Sequence, residues 1–193
     1  LITQKTEYPW DEKVEITVST EKAQEFSLAL RIPGWCRNAV VKVNGEAVKM
    51  DDINVNGYIT VKRMWDNGDK VDLLLPMPVE RIHSNPNVRV NTGKVALKRG
   101  PIVFCFEEAD NGGRLADICL PSDAKLSVEY DSSLLDGIAV IKGEGRKVSY
   151  DGWEDSLYKA ENYKTETTGI KAVPYYAWAN RGEGEMLVWI REC

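Results

Sequence analysis

FSLALRIPGWCRNAVVKVNGEAV, residues 26–48, carries two local signals of a β fold. From Phe26 to Ile32 every second side chain is large and apolar, as in a strand that packs one face on a core. A second run, residues 40–43, ends at Asn44-Gly45, the pair that favours the positive φ angles of a type I′ turn. The stretch therefore predicts a strand followed by a tight β-hairpin.

The same strand pattern recurs along the whole chain, and helical periodicity is nearly absent. Gly- and Pro-containing turns separate the runs, and Gly143-Glu144-Gly145 and Gly182-Glu183-Gly184 also have the character of hairpin turns. Many short strands at this spacing are typical of antiparallel sandwiches or barrels, so we predict an all-β protein of jelly-roll-like β-sandwiches. Further predicted strands lie at residues 14–18, 58–61, 71–75, 94–98, 102–106, 125–130, 137–142, 146–150, 168–173 and 186–190.

Length and composition indicate two small globular domains. The 193 residues are 43% hydrophobic, which is enough for a packed core. The strand pattern restarts at Lys94, and the polar stretch from Glu107 to Arg114 is the best candidate for a connection between domains. We predict one sandwich at residues 1–106 and a second at 107–193, with a boundary good to about 15 residues.

Charge and hydropathy exclude several classes of partner. The net charge is −5 and no run of Lys or Arg forms a basic stripe, so no nucleic-acid partner is expected. The longest apolar runs, such as residues 71–77, fall far short of the roughly 20 residues that span a bilayer. The chain opens at Leu1 without a recognisable signal peptide, so we expect a piece of a longer protein, of unknown localisation.

The cysteines and the single histidine do not predict a metal site. Cys36, Cys105, Cys119 and Cys193 form no closely spaced pair, and His83 is the only other good soft ligand. No cofactor is therefore expected in this chain. Cys105 lies in an apolar run and is predicted to be a buried thiol, whereas His83 is predicted to lie on the surface or in a loop. Nothing in the sequence signals a disulfide.

The acidic residues do not form an obvious catalytic pair. Hydrolysis by acid and base catalysis commonly uses two carboxyl groups that flank the scissile bond. Glu107 and Glu108 would point to opposite faces in a strand, and in a loop both would be solvated. The acids near Trp153, which are Asp151, Glu154 and Asp155, are expected to form a hydrated loop. We therefore do not predict that this chain is an enzyme by itself.

Six aromatic residues are candidates for binding surfaces. Rings of this kind serve half-buried core or interface contacts, or they stack on sugars, and both interpretations stay open. Tyr175 and Trp178 could share one platform if the strand bends between them. The candidate interface or sugar-contact residues are Trp35, Trp65, Trp153, Tyr175, Tyr176 and Trp178.

Six short motifs, taken in order, resemble the C-terminal region of glycoside hydrolase family 127, the β-L-arabinofuranosidase group. They are residues 8–11 (YPWD), 30–35 (LRIPGW), 43–45 (VNG), 75–78 (LPMP), 94–101 (KVALKRGP) and 174–182 (PYYAWANRG).

The resemblance implies an architecture in which an N-terminal (α/α)6 barrel carries the active site, with a zinc-bound cysteine nucleophile, and two β-sandwiches follow. Only the part after the barrel matches this chain, so zinc and catalysis are expected in the barrel alone. We expect non-catalytic domains that pack on the protein's own barrel and stabilise it, with contacts to a second copy as an additional role. The alternative is a carbohydrate-binding module that uses exposed Tyr and Trp.

Overall fold

The structure is a computed structural model that describes residues 1–49, 53–54 and 56–193, without the side chains of 53 and 54. The predicted all-β class is confirmed, with 48% strand and 7% helix. The chain forms two compact units, Leu1–Pro78 and Val79–Cys193, and each is described by itself. None of the helices described is long and apolar enough to cross a membrane.

The first unit consists of two antiparallel sheets. One sheet has the strand order β1-β2-β8-β4-β5 and the other has the order β3-β7-β6. The strands of this unit are β1 (Ile2–Thr6), β2 (Lys13–Val18), β3 (Gln24–Arg31), β4 (Val40–Val43), β5 (Glu46–Ala47), β6 (Ile53–Asn54), β7 (Tyr58–Trp65) and β8 (Lys70–Leu74).

One apolar core joins these two sheets into a sandwich, as the alternation predicts. Along β2 the side chains of Val14, Ile16 and Val18 are buried while their neighbours lie nearer solvent. The same core includes Ile59 from the other sheet and fully buried Trp65, whose indole N–H donates to a backbone carbonyl 3.0 Å away. Burying a side chain such as that of Ile59 contributes about 1.5–3 kcal/mol relative to exposing it.

The predicted hairpin at Asn44-Gly45 is confirmed. These two residues have φ angles of 52° and 86°, and they connect β4 to β5 with Val43 paired to Glu46. Asn and Gly tolerate the left-handed region that this turn requires, which is why the local sequence is sufficient to predict it.

The second unit is a larger sheet that folds back on itself. The strand order is β16-β11-β15-β14-β12-β17-β10-β9; β13 pairs with β14, and β10 also pairs with β11. The strands are β9 (Val79–Ile82), β10 (Lys94–Arg99), β11 (Ile102–Glu107), β12 (Ile118–Leu120), β13 (Ser127–Asp131), β14 (Ile138–Val148), β15 (Thr165–Pro174), β16 (Met186–Leu187) and β17 (Trp189–Glu192); helix α1 is Glu108–Asn111, and 3-10 turns lie at Arg89–Asn91, Leu115–Asp117 and Tyr175–Ala177.

The division between the units lies after Pro78 and not at the predicted boundary of 106/107. Strands β10 and β11 pair with β17 and β15, so they are part of the second core. The stretch from Glu107 to Arg114 is not a connection, because it contains α1, and the Asn111 amide there donates to the carbonyl of Lys171, 2.9 Å away. Alternation shows that strands exist, but it does not show which strands pair.

Gly143-Glu144-Gly145 is not a turn either, because β14 continues through it and pairs with β15. The glycines permit close packing instead. A Cβ on Gly145 would lie 2.8 Å from Cγ2 of Ile170 and 3.1 Å from the carbonyl oxygen of Cys119. Glycine inside a strand often marks such a close approach.

A disulfide that the sequence did not signal joins Cys119 on β12 to Cys193 after β17. The two Cα atoms are 5.9 Å apart, and the residues are separated by 74 positions in sequence. Cys36 and Cys105 are free and buried, which confirms the prediction for Cys105. Burial, reinforced by the nearby Glu107 carboxylate, raises the pKa of Cys105 to about 12, so this thiol stays protonated.

Candidate functional site

The turn that follows β15 brings two of the predicted aromatic residues together. β15 ends at Pro174, and a 3-10 turn then carries the chain from Tyr175 to Trp178. The rings of Tyr175 and Trp178 are near-parallel, at an interplanar angle of 18° with centroids 6.5 Å apart. Their exposed fractions are 45% and 41%, and Tyr176 between them is more exposed still. We call Tyr175, Tyr176 and Trp178 the aromatic turn.

A surface cavity of about 450 Å³ lies beside Trp178. Its walls come from three short segments, residues 107–109, 178–179 and 182–185, so α1 and the chain after the aromatic turn face each other across it. Four of the nine lining residues are glutamates, at positions 107, 108, 183 and 185. The sequence did not predict this cavity, because the two stretches that form its walls, residues 107–109 and 178–185, lie about 70 positions apart.

A largely buried ionic network lies next to the aromatic turn. Its members are Glu107, Asp110, Lys171 and Arg181. Arg181 donates to a carboxylate oxygen of Glu107 and to both oxygens of Asp110, the latter at 2.9 and 2.5 Å. The ammonium of Lys171 lies 3.2 Å from Asp110. Lys171 also lies 3.8 Å from Asp131, so each carboxylate of the cluster has a cation beside it, as charges in a poorly solvated site require.

Asp110 and Arg181 both stay ionised around neutral pH. Burial alone would raise the pKa of Asp110, but hydrogen bonds from Arg181 and Lys171 outweigh it and hold that pKa below its ordinary value. The hydrogen bond to Asp110 is also the main reason why the pKa of Arg181 is raised. A general acid needs a pKa shifted toward the working pH, so the direction at Asp110 is wrong for acid catalysis.

Glu107 links the strand core to the aromatic turn. Its side-chain oxygen accepts the backbone N–H of Ala179 at 2.8 Å, and Ala179 has a left-handed φ of 62°. An alanine in that conformation needs support from its surroundings. The alternative in which Glu107 and Glu108 are solvated is wrong for Glu107, which is only 6% exposed. Its cation, Arg181, lies 74 residues away, so the sequence offered no signal for the pair.

Glu108 and Glu185 tie the other wall of the cavity together. The N–H of Glu108 donates to the carbonyl of Glu185, and the N–H of Glu185 donates to the carboxylate of Glu108, both at 2.9 Å. The carboxylate of Glu185 in turn accepts the N–H of Leu115 at 2.7 Å. The carboxylates of Glu108 and Glu185 thus each accept a hydrogen bond from a backbone N–H group, which is a structural role.

The other predicted binding residues lie on other segments of the chain. Trp65 is completely buried in the first unit, so it offers no surface to a partner or a sugar. Trp35, also in the first unit, is half-buried beside Tyr8, with ring centroids 6.5 Å apart. Trp153 is half-buried in the second unit, and the ammonium of Lys159 lies 5.3 Å from its ring centroid.

Trp153 belongs to residues 149–164, which connect β14 to β15 without regular structure; we call them the 149–164 segment. Near one end the Tyr150 hydroxyl donates to Asp117 at 2.6 Å, and near the other the Arg191 guanidinium lies 5.9 Å from the Tyr163 ring centroid. Between these anchors Leu157 and Tyr158 are 88% and 93% exposed. The neighbouring acids Asp151, Glu154 and Asp155 are exposed, which confirms the hydrated acidic loop.

His83 is largely exposed, which confirms its surface placement, and its Nε2 lies 3.1 Å from a carboxylate oxygen of Glu192. Across residues 1–49, 53–54 and 56–193, no group of three or more His, Cys, Asp or Glu side chains is arranged to hold a metal ion.

Family profiles cover nearly the whole chain. Residues 1–77 match the profile of the β-L-arabinofuranosidase GH127 middle domain, and residues 79–191 match that of the glycoside hydrolase family 127 C-terminal domain. The two matches meet where the structure divides.

Individual relatives agree. A non-reducing end β-L-arabinofuranosidase of Bifidobacterium longum subsp. longum is 35% identical, over 98% of this chain and 30% of the relative. The crystal structure of a GH127 β-L-arabinofuranosidase from Geobacillus stearothermophilus T6 superposes with a TM-score of 0.94 at 53% identity, over 100% of this chain and 30% of that one. A solved GH127 β-arabinofuranosidase has a TM-score of 0.86 at 34% identity, over 100% and 31% of the two chains. The chain thus spans about a third of the length of these relatives, and it belongs to glycoside hydrolase family 127, of which it forms the middle and C-terminal domains.

Proposed function

We propose that this chain is the scaffolding part of a glycoside hydrolase, and that it packs on and stabilises an N-terminal catalytic barrel of the same protein. The main support is its correspondence to the middle and C-terminal domains of relatives of which it covers only 30–31%. The carboxylates at its cavity support the same view, because Glu107 is paired with Arg181, and Glu108 and Glu185 hold backbone N–H groups.

By the same proposal, the full-length protein cleaves β-L-arabinofuranosides, the class named for its relatives. Bond cleavage and the zinc ion that the family resemblance implies belong to the barrel. In the described part of this chain, Asp110 has a pKa shifted away from acid catalysis, and no cluster of metal ligands is present. The role of these two domains is then structural: their surfaces pack against the barrel and stabilise it.

The docking surface that we propose is the centre of the 149–164 segment. Long loops without regular structure in a compact domain are commonly functional. This one is anchored through Tyr150 and Tyr163, yet it holds Leu157 and Tyr158 almost fully in solvent. Burying a leucine side chain contributes about 1.5–3 kcal/mol, so covering both side chains would favour association. The proposed occupant is the barrel of the same polypeptide.

Binding in trans tests this assignment. The 193-residue chain is titrated with the upstream part of the full-length protein, expressed as a separate polypeptide, in a calorimeter. We expect complex formation that weakens at least tenfold in the double variant Leu157→Asp with Tyr158→Asp. Val90→Asp is the matched control, because Val90 is a similarly exposed apolar residue on another loop of the same unit.

Two outcomes would contradict the proposal. One is hydrolysis of an aryl β-L-arabinofuranoside by the 193-residue chain alone. The other is a double variant that binds the upstream part as tightly as the unchanged chain. If the 193-residue chain instead pairs with itself through Leu157 and Tyr158, the segment is a contact between copies and the docking assignment is wrong.

A further inference from the structure

We propose that the cavity beside Trp178 is a binding site for a neutral sugar residue, which packs on the aromatic turn and donates its hydroxyl hydrogens to the carboxylates that line the cavity. This goes beyond the scaffolding role. It does not depend on the 149–164 segment, because none of the lining residues belongs to that segment.

The size of the cavity is suitable for one sugar ring. Small-molecule sites in proteins typically have volumes of about 300–1,000 Å³. The cavity here has a volume of about 450 Å³ and opens to solvent beside Trp178. A single sugar residue can therefore enter it while the rest of an oligosaccharide stays outside.

Trp178, which lines the cavity, and Tyr175 stacked beside it provide the apolar part of the site. Sugar rings carry faces of C–H groups that pack on flat aromatic surfaces, and Trp and Tyr offer such surfaces at little cost in conformational entropy. Tyr175 and Trp178 lie within 18° of parallel, and each exposes more than 40% of its surface. In the described structure the uncovered part of each of these two residues faces solvent and is available to a ligand.

The charges around the cavity select for neutral sugars. Glu107 is neutralised by Arg181, but Glu108, Glu183 and Glu185 also line the cavity, and the lining identified in the described structure includes no Lys, Arg or His. Glu108 and Glu185 each use one oxygen for a backbone N–H, which leaves a second oxygen to accept a hydroxyl. Carboxylates accept strong hydrogen bonds from sugar hydroxyls, and they repel an anionic sugar.

The supporting network organises the site before any ligand arrives. Glu107 holds the N–H of Ala179, and Arg181 is fixed by both Glu107 and Asp110. The opposite wall approaches closely, since a Cβ on Gly184 would lie 3.1 Å from the Cβ of Glu108. A site that is already ordered loses less entropy when it binds. Rigid support of this kind beneath exposed rings is what a binding platform requires.

Three sugars with the same ring stereochemistry provide the test. L-arabinose, D-galactose and D-galacturonate in their pyranose forms differ only in the group on the ring carbon next to the ring oxygen: hydrogen, a hydroxymethyl group or a carboxylate. Each is titrated into the 193-residue chain and its variants, and the backbone N–H signals of Ala179 and Gly184, which line the cavity, are followed by NMR. We expect saturable millimolar binding of the two neutral sugars and at least tenfold weaker binding of galacturonate.

Variants locate the site. Trp178→Ala should weaken binding of the neutral sugars by roughly two- to tenfold, because it removes the aromatic ring that lines the cavity. Glu183→Gln should selectively improve binding of galacturonate. Tyr158→Ala is the control, because it removes an exposed aromatic ring outside the cavity. Circular dichroism verifies that each variant is folded.

Absence of saturable shifts for all three sugars up to about 100 mM, well above the millimolar range of weak specific binding, would overturn the proposal. Equal affinity of the unchanged chain and Trp178→Ala would do the same, as would equal binding of galactose and galacturonate. Failure of the docking experiment would leave these titrations unchanged, so the two proposals fail separately.

Discussion

The buried network gives the sharpest prediction, for the substitution Arg181→Met. Methionine fills a similar volume but leaves Glu107 and Asp110 without their shared cation. Removal of one partner from a buried ion pair costs about 3–5 kcal/mol. Asp110 keeps Lys171 at 3.2 Å, and Glu107 keeps the N–H of Ala179, so we expect the lower end, about 3 kcal/mol.

The assay is urea unfolding, followed through NMR signals of buried residues in the second unit such as Leu120. These signals report the unfolding of the second unit separately from that of the first. Arg146→Met is the matched control, because Arg146 is exposed on the same unit and its loss should change stability by no more than about 0.5 kcal/mol. Adding Glu107→Gln to Arg181→Met should recover about 1–2 kcal/mol, because the uncompensated charge is then removed.

Two results would refute this reasoning. A loss from Arg181→Met no larger than that from Arg146→Met would show that the network contributes nothing to folding. A further loss on adding Glu107→Gln, in place of a recovery, would show that an uncompensated charge on Glu107 is not what destabilises the single variant.

Three further predictions concern other parts of the second unit. Replacing Cys119 and Cys193 by Ser should destabilise it by about 2–5 kcal/mol in urea unfolding, and an unchanged midpoint would contradict the disulfide. Gly145→Ala should cost about 1–3 kcal/mol because its methyl group meets a backbone carbonyl, whereas Gly169→Ala, with open space around it, should cost less. The pKa of Asp110 is lowered on folding, so its contribution to stability is complete above its ordinary pKa of 3.8 and is lost as the pH falls through its folded value. In Asp110→Asn the free energy of unfolding should therefore fall less steeply as the pH is lowered below about 4. An unchanged pH dependence would contradict the stabilising role of ionised Asp110.

Family membership was predicted from short motifs in order, and the profiles confirm it. The motif at residues 174–182 also contains the aromatic turn and Arg181, so the sequence located half of the candidate site. The other half is Glu107 with Glu108, the first residue of α1. From the sequence alone these two acids are rejected as a catalytic pair, and their stretch is assigned to a connection between domains. Residue type alone does not distinguish a solvated acid from a buried, paired one.

The sequence by itself determined the local structure of this protein. Strand alternation and the Asn44-Gly45 turn depend on neighbouring residues, because side-chain direction and backbone dihedral angles are local properties. The tertiary structure alone decided the division at Pro78 and the Cys119–Cys193 disulfide. It also decided the pairing of Glu107 with Arg181 across 74 residues. Such contacts form only where the whole set of strands brings distant segments together, and no short stretch of sequence encodes that arrangement.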